Sequence, residues 1–451
     1  MLDRPAAIAW YHRNRERSRA LFDLLAPQVY YSRPIALRHP IVFYEGHLPA
    51  FSFNTLIKKA LGGASIDERL ELLFARGIDP HESASEPNRL TPDVTRGAWP
   101  SRDEVRAFAA EADRRVLDAL SNDDLDRPGH PLLDRAEAVF TILEHEAMHH
   151  ETLLYMWHRL PLDEKRRPAG YSPRVDNRAP DQEWVEVPPG CATLGVNRED
   201  VVFGWDNEFP SQAAEVGGFA IDRYDVTNLQ FLEFVDGGGY SNPRWWTEEN
   251  WSWIQSEHVA HPLFWERSAD WNWRGMFDRV PLPLSWPVFV SHAEASAYAR
   301  WRSDRDGLPV RLPTEAEYQR AAFGSPDGER PHPWGDAPPA PDRGVFDFSG
   351  WDPEPVGGHP KGRSAWGADG LVGNGWEWTS SVFAPFPRFR PMASYPEYSA
   401  DFFDGEHLVM KGASPVTAAE LLRPTFRNWF RPRYPYVYAT FRCVTERSRR
   451  R

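Results

Sequence analysis

Tryptophan is distributed so unevenly along these 451 residues that two different folds must share the chain. Of 20 tryptophans, only Trp10, Trp99 and Trp157 precede residue 184. A chain of this length exceeds what one hydrophobic core usually serves, so the shift marks a boundary between domains. Residues 163–183 (DEKRRPAGYSPRVDNRAPDQE) are polar and carry three prolines, which reads as a linker. The expected division is a helical domain over 1–162, the linker 163–183 and a second domain over 184–451.

Apolar periodicity in the first part predicts four helices. The first covers Ile8 to Leu25. The second begins near Pro40, stops at Gly62-Gly63, and is open to interruption at Pro49. The third starts at Ser101, where Asp103 and Glu104 suit a helix N-terminus, and ends near Leu120. The fourth runs from Leu133 to Leu160, closed by Pro161. Four such helices suggest a bundle, in which cofactor sites are built from inward-facing side chains. Beyond Trp184, short apolar stretches alternate with Gly, Pro, Asn and Asp turns. Helices are expected only at Thr227–Phe234 and His292–Arg302, giving an α+β domain with large loops and no internal repeat.

Charge and composition exclude several functions. Basic residues number 52 against 65 acidic, a net charge of -13, which favours neither nucleic acid nor anionic lipid as a partner. The basic cluster Arg447, Arg449, Arg450 and Arg451 reads as a solvated tail. The first residues hold charges throughout and lack the apolar core of a signal peptide, and no stretch reaches the length of a membrane span. Cys191 and Cys443 are too few for a disulfide framework. Cytoplasm is the simplest location.

Within the fourth helix lies Glu144-His145-Glu146-Ala147-Met148-His149-His150-Glu151. His145 and His149 are four apart and share a helical face with Ala138, Ile142, Thr152 and Met156, so both imidazoles point into the bundle. Such a pair can hold one metal ion, or it can be two hydrogen-bonded core histidines. The pattern H-E-x-x-H also matches zinc peptidases, in which the Glu is the general base. His47, in Phe43-Tyr44-Glu45-Gly46-His47-Leu48-Pro49-Ala50-Phe51, is a third candidate ligand, or a satisfied core residue next to a glycine that permits close packing. Three histidines around one cavity would leave coordination positions open for O2 and substrate.

The second part carries longer signatures. Val290-Ser291-His292-Ala293-Glu294-Ala295 through Trp301, then Val310-Arg311-Leu312-Pro313-Thr314-Glu315-Ala316-Glu317-Tyr318 and Gly373-Asn374-Gly375-Trp376-Glu377-Trp378, resemble the sulfatase-modifying-factor fold of formylglycine-generating enzymes. Trp301, Trp376 and Trp378 are read as scaffold. Those enzymes use two cysteines late in the chain. Here Cys191 and Cys443 lie at opposite ends of the domain, which argues against that activity.

Joined to a DinB-like helical half with His47 and His145-x3-His149, the second fold resembles the sulfoxide synthases of ergothioneine biosynthesis. Phe203-Gly204-Trp205-Asp206-Asn207-Glu208, the stretch Asn228 to Tyr240, and Thr425-Phe426-Arg427-Asn428-Trp429 extend the likeness over nearly the whole chain. The resemblance implies a DinB-like four-helix bundle followed by a formylglycine-generating-enzyme-like (C-type-lectin-like) α+β domain. It implies Fe(II) held by His47, His145 and His149, with O2, a donor and the betaine hercynine as substrates, and no nucleic acid or membrane partner. A catalytic tyrosine is implied at Tyr395, with Tyr398 second, unless either is a packed loop aromatic. Asn428 and Trp429 match residues that hold the betaine, whose trimethylammonium group suits an aromatic face.

Several positions depart from that family's pattern. Met148 stands where the family has Gln, Phe430 where some relatives have Asp, and Leu-Pro-Ala-Phe follows His47 in place of Thr-Thr-Trp-Phe. Leu73 to Pro80 stands where a Phe-Asn-Ser-Tyr-Tyr segment is usual. A kept iron site with an altered donor pocket resembles the selenoneine-forming branch, which joins a selenosugar to hercynine, more than the branch that uses γ-glutamylcysteine or cysteine. Arg431 and Arg433 would contact the donor or be solvated. A zinc peptidase built on Glu146, and a lectin-like receptor without catalysis, are the readings from other classes.

Overall fold

A computed structural model describes residues 2–75 and 99–446. The basic tail and the positions Arg76 to Pro80 lie outside the described residues. The chain forms two compact units, Met1–Tyr171 with Pro391–Asp401, and Ser172–Arg390 with Phe402–Arg451.

The first unit is helical: α1 Arg4–Asp23, α2 Ile41–Ser52, α3 Glu68–Leu73, α4 Arg102–Asn122 and α5 Glu137–His158. Local chemistry sets the ends. The Asp3 side chain accepts the Ala6 N–H, with Pro5 in the first turn, so α1 begins ahead of the expected Ile8. Ser101 accepts the Glu104 N–H and starts α4. A short 3-10 turn at Asp134–Ala136 takes up the residues expected to open α5, and Arg135 and Ala136 adopt positive φ there. Pro49 does not end α2. The helix passes through it and continues as π-helix over Phe53–Ala60, a wider winding often found beside functional sites. Gly62, at φ +69°, then closes the run. Phe51, Phe53 and Leu56 pack with Ala112, Val116 and Leu120 of α4 and with Ala138, Val139, Ile142 and Leu143 of α5. The short helix α3 was not anticipated.

The second unit is α+β. One four-stranded sheet orders Trp184–Val187, Phe219–Asp222, Val444–Glu446 and Val310–Arg311, with every neighbouring pair antiparallel. The other orders Asn428–Phe430, Leu408–Ala413, Gly375–Val382 and Ala439–Thr440, of which only the last pair is parallel. The two expected helices form as Asn228–Asp236 and His292–Asp306. Glu248–Ser256 and Glu315–Phe323 are additional helices, and the latter starts on a Thr314/Glu317 capping box that was legible in Thr-Glu-Ala-Glu. Trp376 and Trp378 are buried scaffold, as expected. Between them Glu377 pairs with the fully buried Arg442 at 2.6 Å, a fixed charge at the centre of the sheet. Among the described residues, no helix is long and apolar enough to cross a membrane.

Candidate metal centre

His47 on α2 and His145 and His149 on α5 are all buried. One ligand-capable atom from each lies within 4.8 Å of the other two. The ring centroids are separated by 5.1 Å (His47–His145), 5.0 Å (His47–His149) and 4.2 Å (His145–His149).

Hydrogen bonds decide which nitrogen His47 and His149 offer. His47 Nδ1 lies 2.7 Å from the Phe74 carbonyl oxygen, which can only accept, so Nδ1 carries the proton and Nε2 keeps its lone pair. His149 Nδ1 donates in the same way to the His145 carbonyl at 3.1 Å. His47 Nε2 and both His145 nitrogens are enclosed with no hydrogen-bond partner. Buried polar atoms are rarely left so, and the free lone pairs of His47 Nε2 and of one His145 nitrogen, beside that of His149, are what a cation would satisfy. Loss of hydration dominates their basicity. It pushes His47 down to about 4 and His149 down to about 3, and it lowers His145 as well, where the neighbouring His149 and His47 reinforce the shift. All three are therefore neutral at pH 7, the form that binds a metal.

The aromatic surround is tight. Phe51 stacks on His145 with centroids 3.5 Å apart, and Phe43 stacks on His47 at 5.1 Å. Gly46 is required here, because a Cβ at that position would lie 2.4 Å from the Phe74 ring.

Glu146 does not face this centre. Its Oε1 accepts from Arg15 Nη1 at 2.8 Å and from Ser18 Oγ at 2.6 Å, both on α1, and Ser18 Oγ also reaches His150 Nε2 at 2.9 Å. Burial raises the Glu146 carboxyl although Arg15 opposes the shift. The geometry of a peptidase base is absent.

The segment 391–401 belongs to the same unit. It brings the Tyr395 ring to 5.2 Å from Phe51 and 6.2 Å from His145. Tyr398 lies 5.8 Å from Tyr395, and its hydroxyl donates to the Met148 thioether at 3.3 Å. Six of the anticipated residues, His47, His145, His149, Met148, Tyr395 and Tyr398, thus gather in one unit.

The remaining five, Asn428, Trp429, Phe430, Arg431 and Arg433, lie together in the other unit. Asn428–Phe430 is a strand in which the Asn428 Oδ1 accepts the Trp429 N–H at 2.9 Å. Trp429 stacks on Phe383 at 4.1 Å, and Phe430 on Tyr434 at 5.1 Å. Arg431 pairs with Glu406 at 2.9 Å, and Arg433 with Glu249 and with Asn250 at 3.1 Å.

Comparison with known proteins adds a second line of evidence. Residues 171–447 match the sulfatase-modifying factor enzyme 1-like domain, and residues 11–153 match the DinB superfamily. A hercynine oxygenase of Mycolicibacterium smegmatis is 34% identical over 76% of this chain and 77% of its own length. The hercynine oxygenase of Mycobacterium tuberculosis is 33% identical over 84% of this chain and 89% of its own. The chain belongs to the hercynine oxygenase family. Ergothioneine biosynthesis protein 1 of Neurospora crassa is a more distant relative, 25% identical over 94% of this chain and 56% of that one. Membership makes the chain an enzyme rather than a non-catalytic receptor. Sequence reasoning passed over Glu137, Thr141 and Ser394, and met Phe74 only as part of the departing stretch Leu73 to Pro80. Thr141 and Glu137 continue the four-residue spacing of His145 and His149 toward the helix start, a signal that was available. Phe74 acts through its backbone, which no side-chain pattern reports.

Proposed function

We propose that the chain is an O2-dependent non-heme iron enzyme that joins a selenium donor, a selenosugar, to the imidazole carbon of hercynine on the way to selenoneine. The observation that carries the iron assignment is the buried triad, with the Nδ1 protons of His47 and His149 held by carbonyls and the opposite nitrogens left for a metal. His47, His145 and His149 are its ligands. Three neutral donors leave positions for other molecules, as oxygen-activating sites need. Iron, when bound, supplies the redox chemistry that an unreactive C–H bond requires. The balanced reaction takes one donor, one hercynine and one O2 to a coupled selenoxide (or sulfoxide) and one water.

The chain's own residues do the rest. Tyr395, against Phe51 and His145, is the proton donor, and Tyr398 is the second choice. Asn428 and Trp429 hold the betaine, the indole face receiving a cation that cannot donate hydrogen bonds. Met148, Phe430, Arg431 and Arg433 are the candidate donor contacts. The selenium preference rests on the residues that depart from the ergothioneine pattern. At Met148 a soft thioether, already engaged by Tyr398, stands in place of an amide. We assign the iron site to the domain expected over 1–162 and the betaine contacts to that over 184–451. A reducing cytoplasm suits both Fe(II) and the free thiols Cys191 and Cys443.

The Fe(II)-loaded chain, given hercynine and O2, is to be supplied separately with a selenosugar, γ-glutamylcysteine and cysteine, and the products weighed by mass spectrometry. A selenium adduct formed fastest supports the reading. Preference for γ-glutamylcysteine or cysteine transfers the chain to the ergothioneine branch, and no adduct with any donor overturns both.

A further inference from the structure

Along α5, Glu137, Thr141, His145 and His149 stand at four-residue intervals and so form one stripe, each about 6 Å further along the axis than the last. The last two carry the metal-ligand rings. The first two hold a segment more than 250 residues away in sequence. Glu137 Oε1 accepts the Ser394 backbone N–H at 3.2 Å and the Ser394 hydroxyl at 3.0 Å. Thr141 Oγ1 lies 2.9 Å from Ser394 Oγ and 2.8 Å from the Glu137 carbonyl oxygen. With the Ser394 hydroxyl donating to the Glu137 carboxylate, the Thr141 hydroxyl can donate to Ser394 Oγ or to the Glu137 backbone carbonyl, and all three residues are buried. A carboxylate in the first turn of a long helix is also favoured by the helix dipole.

The next residue after Ser394 is Tyr395. Its ring rests on Phe51, which itself covers His145. The clasp and the ligands share one helix, so the rise of α5 fixes how far the tyrosine stands from the metal-binding rings. We propose that Glu137 and Thr141 are positioning residues that seat Tyr395 through Ser394. The inference rests on the reading of Tyr395 as proton donor, and it assigns residues outside the metal ligands that set the geometry of that step. The contact of the Tyr398 hydroxyl with the Met148 thioether is a second tie between this segment and α5, but it lies beyond Tyr395 and engages a neutral sulfur, whereas the Glu137 carboxylate grips the residue directly before the tyrosine.

The test uses the full-length Fe(II) enzyme with Glu137→Ala, Glu137→Gln, Thr141→Val and Ser394→Ala, beside Tyr395→Phe. Amide hydrogen exchange of the 391–401 peptide reads the clasp without reference to turnover. Glu137→Ala and Ser394→Ala are expected to speed it at least about tenfold while peptides from the second half of α5 keep their protection. In turnover the same variants should lose about tenfold in kcat with the KM for hercynine unchanged. Glu137→Gln keeps the accepting oxygen and should restore both readouts, which a general packing defect would not allow. Unchanged exchange at 391–401 in Glu137→Ala and Ser394→Ala overturns the clasp. If Tyr395→Phe turns over as fast as the parent enzyme, the tyrosine's proposed role fails instead, and exchange alone judges the clasp.

Discussion

The ring of Phe51 lies flat on the imidazole of His145, with centroids 3.5 Å apart and planes 10° from parallel. Neither nitrogen of His145 has a hydrogen-bond partner, so ring packing sets its orientation, with Phe51 the nearest ring and His149 next at 4.2 Å. His47 and His149 are each fixed by a carbonyl. His145 is fixed by carbon.

Replacing Phe51 with Ala should therefore do two separable things. Removing a buried aromatic side chain costs about 3–5 kcal/mol in urea unfolding. Freeing His145 should also weaken metal binding about tenfold or more, comparable to losing an outer-shell partner. Phe51→Leu restores most of the volume but not the flat face. It should recover stability and leave affinity low when Co(II) binding is followed by absorption. Full affinity in Phe51→Leu would mean that packing volume alone holds the ring.

Glu146 distinguishes iron chemistry from hydrolysis. It is tied to Arg15 and Ser18 of α1, away from the triad. In Glu146→Gln the Ser18 contact survives while the Arg15 pair loses its charge, an expected cost of roughly 1–3 kcal/mol in stability. Metal content should stay at the parent level and turnover within about threefold. A catalytic base would instead lose about a hundredfold or more.

What was legible in the sequence divides by range. The bundle helices, His145 and His149 were readable because helical spacing is local: apolar residues every three to four positions give both the element and its inward face. His47 was harder, since only the triad's geometry separates a ligand from a core histidine. The placement of Tyr395 was unreadable from pattern, because the contact between Ser394 and Glu137 joins residues far apart in sequence and leaves no periodic trace. The helix Glu315–Phe323 shows the opposite failure. Its capping box was present in Thr314 and Glu317, but a nine-residue helix in a loop-rich domain has too few turns to make a clear stripe.

In the second unit, His292 should make stability depend on pH. Its Nε2 is sealed from solvent although part of the side chain is exposed, and loss of hydration, reinforced by Arg300, pushes the imidazole down to about 4. The unfolded chain, titrating near 6.5, binds the proton more tightly than the folded one. The contribution is thus complete above about pH 6.5 and is lost as the pH falls toward 4. Between pH 7 and pH 5 it amounts to about 2 kcal/mol. Urea unfolding at the two pH values should show His292→Gln losing about that much less than the parent chain on acidification. An equal loss in both would remove His292 as the cause.

Gly46 offers the sharpest test of how His47 is aimed. In the middle of a helix, Gly→Ala ordinarily gains about 1 kcal/mol from backbone entropy. Here the added Cβ would meet three atoms of the Phe74 ring at 2.4, 2.5 and 2.6 Å, and overpacking of that kind costs about 1–3 kcal/mol. Phe74 is fully buried, so its ring has no solvent to swing into and the backbone must move. That backbone carries the carbonyl that holds the His47 Nδ1 proton at 2.7 Å. Gly46→Ala should accordingly lower stability slightly and metal affinity about tenfold, with the loss of affinity the larger effect. Trimming the obstacle in Gly46→Ala/Phe74→Leu should return the affinity by letting the carbonyl settle back. If the double variant binds metal as poorly as Gly46→Ala, the glycine serves the helix itself and not the ligand.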